Sequence, residues 1–394
     1  MAPPLEFPHR TLLGPGPSNV HPRVLKALSL PVIGHLDPEF FKVMEENQAG
    51  LRWLFQTENR LTFPVSGTGS AGMEACLVNL IEEGDGVLVG VNGVFGTRMV
   101  DVAERCGGAV VPVEAPWGEI VRPEQVEKAL KSRPVKIVCL IHAETSTGAW
   151  QPVEEISRIA HEAGALLVLD TVTSLGGCPV TIDAWRVDAC YSGTQKCLSC
   201  PPGLAPVSFN EAARDKIRKR KTKVKSWYLD TTMIERYWGE ERVYHHTAPI
   251  SMNYALHEAL ALIEEEGLEK RFNRHRLNHL ALAAGLGALG IRLAAQEGHR
   301  LWMLNSVFVP EGVSDREARG RLLKEFGIEI GGGLGPLAGK TWRIGLMGES
   351  SRPENVRTLL RALGRVLPDY GLKVSGDEAV AAADKVYAEF RSTE

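Results

Sequence analysis

The stretch Tyr191-Ser192-Gly193-Thr194-Gln195-Lys196 places a lysine beyond an apolar, strand-like run, 26 residues after Asp170, the last residue of Ala165-Leu166-Leu167-Val168-Leu169-Asp170. A lysine amine can hold an aldehyde as a Schiff base, and a buried carboxylate can keep a pyridine nitrogen protonated and electron-accepting. The two together suit pyridoxal phosphate. A lysine after a strand is common, so the weight rests on the other residues that must meet it.

One such group is Ser66-Gly67-Thr68-Gly69-Ser70-Ala71-Gly72, which follows an extended run and opens an apolar helix. Backbone N–H groups and hydroxyls at a helix start form an anion cradle, although the same glycines would also serve a tight strand-to-helix turn. The segment is neither a Walker motif nor GxGxxG. Phe95, in Val91-Asn92-Gly93-Val94-Phe95-Gly96, is an aromatic in a glycine-flanked turn; it could stack on a planar ligand or belong to the core. Arg343, in Trp342-Arg343-Ile344-Gly345, sits in an apolar strand pattern where a guanidinium needs an anion. A substrate carboxylate or a structural salt bridge would each meet that need.

These residues need a frame that gathers them. From about residue 60 to 210, β-rich runs (86–90, 108–113, 135–141, 165–170) alternate with helical patterns (96–106, 123–132, 153–163). That βαβα alternation predicts an α/β fold with a mostly parallel sheet covered by helices on both faces. Asp170, the Glu144-Thr145-Ser146-Thr147-Gly148 loop and Lys196 all follow strand-like runs and should meet at the carboxyl edge of the sheet. A long helical pattern over 253–288 carries a break at 264–267. It is followed by a smaller α+β unit with a strand at 304–309, a helix at 315–326, a strand at 340–346 and a helix at 354–366. The tail from about 375 reads as an appended helix.

The chain has 394 residues, is 44% hydrophobic and carries a formal net charge of -3. It can bury a large core, and nothing in its bulk charge favours nucleic acid or an anionic membrane. The basic run from Lys216 to Lys225 raises nucleic acid as a rival, but such runs are commonly solvated helix faces. Seven cysteines, an odd number lying partly in apolar runs, argue against a disulfide framework. Cys197 and Cys200 form a CxxC without a second ligand pair, and His245-His246 also lacks companions, so no metal is expected. The amino-terminal residues lack the pattern of a signal peptide and the carboxyl-terminal Arg391-Ser392-Thr393-Glu394 is not a peroxisomal address, which points to a cytoplasmic protein.

In order along nearly the whole chain, the sequence resembles the alanine–glyoxylate and serine–pyruvate aminotransferases of class V, within the fold type I pyridoxal phosphate enzymes. The resemblance rests on Leu13-Gly14-Pro15-Gly16-Pro17-Ser18-Asn19, the Ser66 helix start, the Glu144 loop, Asp170-Thr171-Val172-Thr173-Ser174 and Ser192 to Lys196. It continues through Tyr244-His245-His246-Thr247, Gly331-Gly332-Gly333-Leu334-Gly335-Pro336 and Arg343-Ile344-Gly345. It implies an N-terminal arm (1–22), a large pyridoxal phosphate-binding domain with a seven-stranded sheet (23–266) and a small C-terminal α+β domain (267–394).

The resemblance further implies that Lys196 carries the cofactor and acts as the base, that Asp170 pairs with the pyridine nitrogen, and that Phe95 stacks on the ring. Thr68, Gly69, Ser70 and Gln195 would hold the phosphate. Tyr244 and Thr247 would reach across a homodimer interface to complete the partner's phosphate site. Thr145 would lie near the ring oxygen or substrate, and Arg343, with Gly16 nearby, would bind the substrate carboxylate. Where liver members carry histidine and tryptophan, this chain has Ser70 and Phe95. The implied reaction is ping-pong transfer of an amino group from alanine, with serine as a further donor, to glyoxylate, giving glycine and pyruvate. Serine–pyruvate, ureidoglycine–glyoxylate and hydroxykynurenine transamination are the alternatives. Desulfurase chemistry, which needs a cysteine on a loop downstream of the lysine turn, has no candidate after Cys200.

Overall fold

The computed structural model describes residues 5–391. The remaining termini, including Ser392-Thr393-Glu394 used above in reading cellular address, lie outside the described residues. Seven strands form the central sheet: β1 Leu61–Ser66, β2 Gly86–Val91, β3 Ala109–Glu114, β4 Ile137–Ile141, β5 Leu166–Asp170, β6 Ala189–Tyr191 and β7 Leu204–Phe209. Their order is β1-β7-β6-β5-β4-β2-β3, and β7 alone runs antiparallel to its neighbours. The α/β class and mostly parallel sheet expected from the alternating pattern are therefore observed.

Both faces of this sheet are buried, which explains why its strands read as continuous apolar runs. All five residues of β4 are buried. Ile137, Cys139 and Ile141 join one hydrophobic cluster while Val138 and Leu140 join another on the opposite face. In β5, Val168 faces the first cluster, and Leu167 and Leu169 face the second. Since β1, β2, β4, β5 and β6 all point the same way, the segments leaving them emerge along one edge.

Two of those segments are helices, α1 (Gly69–Leu80) after β1 and α2 (Val94–Arg105) after β2. The sequence pattern placed the second helix two residues late, which matters because Phe95 lies inside its first turn rather than in a preceding loop.

The helical run at 253–288 is two helices, α3 (Ile250–Glu266) and α4 (Leu268–Ala288), separated at Gly267 with φ +80°. A left-handed residue ends α3 cheaply only as glycine. Apolar residues of α3 pack into the second cluster beneath the sheet, whereas Ala281, Leu282 and Leu286 of α4 enter a third cluster. That cluster also takes residues from an antiparallel sheet of β8 (Leu304–Phe308), β9 (Gly331–Gly332) and β10 (Thr341–Gly345), and from α5 (Pro353–Val366).

The tail forms α6 (Gly376–Arg391), but it is not an appendage. Ala379, Val380, Ala383 and Tyr387 are buried in the third cluster, and Tyr387 donates to Asn278 Oδ1 at 2.7 Å. Small alanines let the helix backbone approach its neighbours, so an alanine-rich composition that suggested an appended helix marks close packing.

The basic run also finds a structural account. Lys216 pairs with Asp85 at 2.9 Å and Lys225 with Glu83 at 2.7 Å, while Arg220 Nη1 donates to the carbonyls of Asn79 and Ile81 at 2.8 Å each. These contacts tie the segment to the turn between α1 and β2.

Candidate active site

At the carboxyl edge of the sheet, Thr68, Gly69, Ser70 and Phe95 face Thr145 and Asp170 across a cavity of about 220 Å³. Gln195 and Lys196 complete its wall. The sheet order thus brings together residues spread over more than a hundred positions of chain. A more voluminous groove, about 990 Å³, lies away from this edge. Three of its arginines are engaged by acids of its own walls, in Arg214–Glu235, Arg236–Glu241 and Arg242–Glu45, and none of the chemistry-bearing residues reaches it.

Asp170 ends β5 with only 3% of its surface exposed. Tyr191, its register partner on β6, donates its hydroxyl to Oδ2 at 2.6 Å, and Val172 N donates to Oδ1 at 2.8 Å. Burial nevertheless pushes the carboxyl up to about 6. A buried carboxylate in this state is best satisfied by a cationic N–H, which is what a protonated pyridine presents.

Lys196 lies in the turn after β6 and is 9% exposed. Burial, with the Arg343 charge as second cause, lowers its amine from the ordinary lysine range to about 8. Nζ donates to the carbonyl of Pro15. Imine formation requires a neutral amine, so capture of pyridoxal phosphate by the apoprotein should accelerate about tenfold per pH unit up to about 8 and then level. Stopped-flow absorbance across pH 6–9.5 measures this directly; a midpoint near 10.5 would show the lysine to be unperturbed.

Gly16 adopts φ +102°, and a Cβ there would stand 2.7 Å from both Cδ and Nζ of Lys196. Its lack of a side chain leaves room for the amine. Gly16→Ala should therefore displace the lysine, with a backbone cost of about 1–3 kcal/mol as well, and slow cofactor capture at least tenfold while the fold survives. Circular dichroism and the same stopped-flow assay separate the two effects.

The turn holding Lys196 is gripped from three directions. Ser18 Oγ donates to the Lys196 carbonyl at 2.8 Å and Ser18 N to that of Gln195 at 2.9 Å. Arg271, buried in the first turns of α4, donates to the carbonyls of Cys197 and Gly176. Glu349 N donates to Ser199 Oγ at 2.7 Å. Both CxxC thiols are buried, and burial pushes each up to about 12, so they pack within this turn as neutral groups.

Thr145 Oγ1 is 2.8 Å from Thr173 Oγ1, which fixes the hydroxyl beside the cavity. Glu144, fully buried, accepts from Phe95 N at 3.1 Å and Gly96 N at 3.2 Å, as well as from Ser146. It caps the start of α2 and so positions Phe95. At the start of α1 the Thr68 side chain makes no cap, which leaves the first N–H groups of the helix available to an anion. Gln195 Oε1 is buried without a hydrogen-bond partner, and it is the amide's other end, Nε2, that would have to turn to an anion as donor. These features fit a phosphate at one end of the cavity and a protonated ring nitrogen at the other.

Arg343, on β10, donates from Nε to the Gly332 carbonyl at 2.7 Å, and no carboxylate pairs with it among the described residues. The salt-bridge alternative from the sequence is thus removed. Burial lowers its guanidinium to about 10, with Glu144 opposing that fall.

Tyr244 and Thr247 do not reach this cavity; both are exposed, Tyr244 by 57%. His246 Nε2 lies 2.7 Å from Ser66 Oγ and His245 Nδ1 2.8 Å from His246 Nδ1, so this pair is absorbed in hydrogen bonds around β1. Sequence reasoning passed over Tyr191, Met73, Val172 and Arg98, all of which line the cavity. Tyr191 had a signal, since it ends the strand adjacent to that of Asp170.

The family model for aminotransferase class-V matches residues 12–345. The chain is similar to the crystal structure of an alanine–glyoxylate aminotransferase from Nostoc sp., with 51% identity and a TM-score of 0.92 over 93% of this chain and 97% of that one. It is also similar to that of the ureidoglycine–glyoxylate aminotransferase of Bacillus subtilis, with 44% identity and a TM-score of 0.95 over 98% and 99% of the two chains. The alanine–glyoxylate aminotransferase of Rattus norvegicus is 43% identical over 92% of this chain and 89% of its own length. With its lysine, aspartate and helix-start cradle on a fold type I frame, the chain belongs to the class V aminotransferases and is a pyridoxal phosphate-dependent transaminase.

Proposed function

We propose that this enzyme transfers an amino group from L-alanine, with serine as a further donor, to glyoxylate, giving glycine and the matching 2-oxo acid. The observation that carries the reading is Arg343, a buried guanidinium with no ion-pair partner among the described residues, whose charge acts on Lys196. It suits a substrate that brings its own α-carboxylate. Likeness to the Nostoc and rat aminotransferases supports alanine and glyoxylate as the pair. A second reading, with ureidoglycine as donor, is favoured by the full-length likeness to the B. subtilis enzyme.

Bound pyridoxal phosphate supplies an aldehyde that accepts amino groups and a cationic ring that withdraws electrons. In our reading Lys196 would hold that aldehyde between turnovers, and its Nζ would carry the α-proton of the bound amino acid to the former aldehyde carbon, so that water releases the 2-oxo acid and the amino group stays behind; with the acceptor bound the same transfer runs in reverse. Asp170 keeps the ring nitrogen charged, and Tyr191 and Val172 hold the carboxylate oriented for that. Thr68, Gly69, Ser70 and Gln195 bind phosphate, Phe95 covers the ring, and Thr145 and Gly16 shape the space beside Lys196. Arg343 holds the carboxylate of each substrate in turn, so donor and acceptor use one site and the kinetics are ping-pong.

Exposed Tyr244 and Thr247 are assigned to the phosphate site of a second copy, making the working unit a homodimer. Among the described residues no helix is long and apolar enough to cross a membrane. Seven free, buried cysteines accord with the reducing cytoplasm.

The test is the visible absorbance of the holoenzyme. Alanine should bleach the cofactor band and glyoxylate should restore it. Bleaching by ureidoglycine at a much higher kcat/KM than by alanine would move the assignment to the second reading, and indifference to both would overturn each.

A further inference from the structure

Arg98 is unused in the scheme above. It lies on α2, one turn after Phe95, and its Cζ sits 4.9 Å from the centre of the Phe95 ring. Residues three apart on a helix share a face, so the two side chains approach the cavity together. Arg98 lines that cavity, and its Nη1 stands 3.5 Å from Ser70 Oγ, at the outer limit of a hydrogen bond. Asp101, three residues further along α2, would be the natural ion-pair partner, but it is held by Arg105 at 2.9 Å. Among the described residues Arg98 has no ion pair. Arg98 is exposed, so water serves its five donors, and with one marginal hydrogen bond to the protein beside a helix start it can exchange that water for an external anion.

We propose that Arg98 binds the cofactor phosphate, donating to it from beside Ser70. The proposal rests on the reading of Thr68, Gly69 and Ser70 as the phosphate cradle. It assigns the site a cation that the cradle itself lacks, since the helix start offers only N–H groups and hydroxyls. A planar fork matches phosphate oxygens two at a time, and the same guanidinium resting on Phe95 would hold that ring in place.

Equilibrium titration of the apoprotein with pyridoxal phosphate and, separately, with pyridoxal tests this without recourse to activity. In wild type, the phosphorylated compound should bind much more tightly. Arg98→Gln should weaken pyridoxal phosphate about 10–100-fold and leave pyridoxal within about twofold, with Arg98→Lys intermediate. Equal weakening of both compounds would show that Arg98 acts through Phe95 or the fold, and would overturn the proposal. So would unchanged cofactor affinity accompanied by a raised KM for alanine and glyoxylate, which would make Arg98 a substrate-carboxylate residue. A wild type that fails to distinguish the two compounds would sink the cradle itself, a separate failure.

Discussion

Lys196→Ala should lower transamination by about 10⁴-fold or more, since it removes both the group that holds the cofactor and the proposed base. The purified variant should lack the visible band that returns to wild type on glyoxylate addition. Loss of activity through unfolding is not expected, because the wild-type fold already bears the burden of burying this amine. Its folded value of about 8 lies below the ordinary 10.5. Between those values the unfolded chain binds more protons than the folded one, so wild-type apoprotein should gain stability as pH rises from about 8 to 10.5. Chemical denaturation across that window should show the gain in wild type and its absence in Lys196→Ala. A variant that retains more than a hundredth of wild-type activity would remove Lys196 from the role of base.

Asp170→Asn should cost about 10²–10³-fold in kcat, a magnitude typical of removing one aligned electrostatic group from a water-poor site. The amide keeps the volume of the side chain, and its oxygen can accept from Tyr191 or from Val172, so the effect isolates charge. Burial pushes the wild-type carboxyl up to about 6. Below that value the apoprotein holds a neutral acid that cannot attract a ring cation. Cofactor affinity should therefore rise with pH through about 6 and then level, while the asparagine variant binds weakly and without that inflection. Once the cation is in place it favours the carboxylate, so the holoenzyme profile should break at lower pH than the apoprotein profile. An inflection that persists in Asp170→Asn would belong to another group.

The sheet was legible because strands buried on both faces leave an unbroken apolar signature, as in Ile137 to Ile141, and the intervening helices show clear amphipathic periods. Lys196, Asp170, Thr145 and Thr68 were legible as a set because each follows a strand on the same edge. Arg98 was not, since nothing in an isolated arginine on a helix tells whether its neighbouring acid, Asp101, is already taken. Glu144 stood inside a recognised motif, yet its capping of α2 depends on a contact 48 residues away from Gly96. The α6 helix was legible as a helix but not as core, because alanine earns burial only through what lies opposite. Whether Tyr244 and Thr247 serve a site depends on a second chain, a relation that lies beyond any one chain's pattern.

The lysine turn is held by residue 18 on one side and residues 271 and 349 on the other. During synthesis, Lys196 emerges long before residues 271 and 349 that complete its brace, and contacts of such sequence separation form late. The lysine thus acquires its lowered basicity and its defined reach only when nearly the whole polypeptide has been made and docked. Until then it is an ordinary surface amine with no preference for the cofactor aldehyde. Reactivity toward pyridoxal phosphate is consequently a late reporter of maturation, and a refolding chain should regain its helical signal well before it can capture the cofactor.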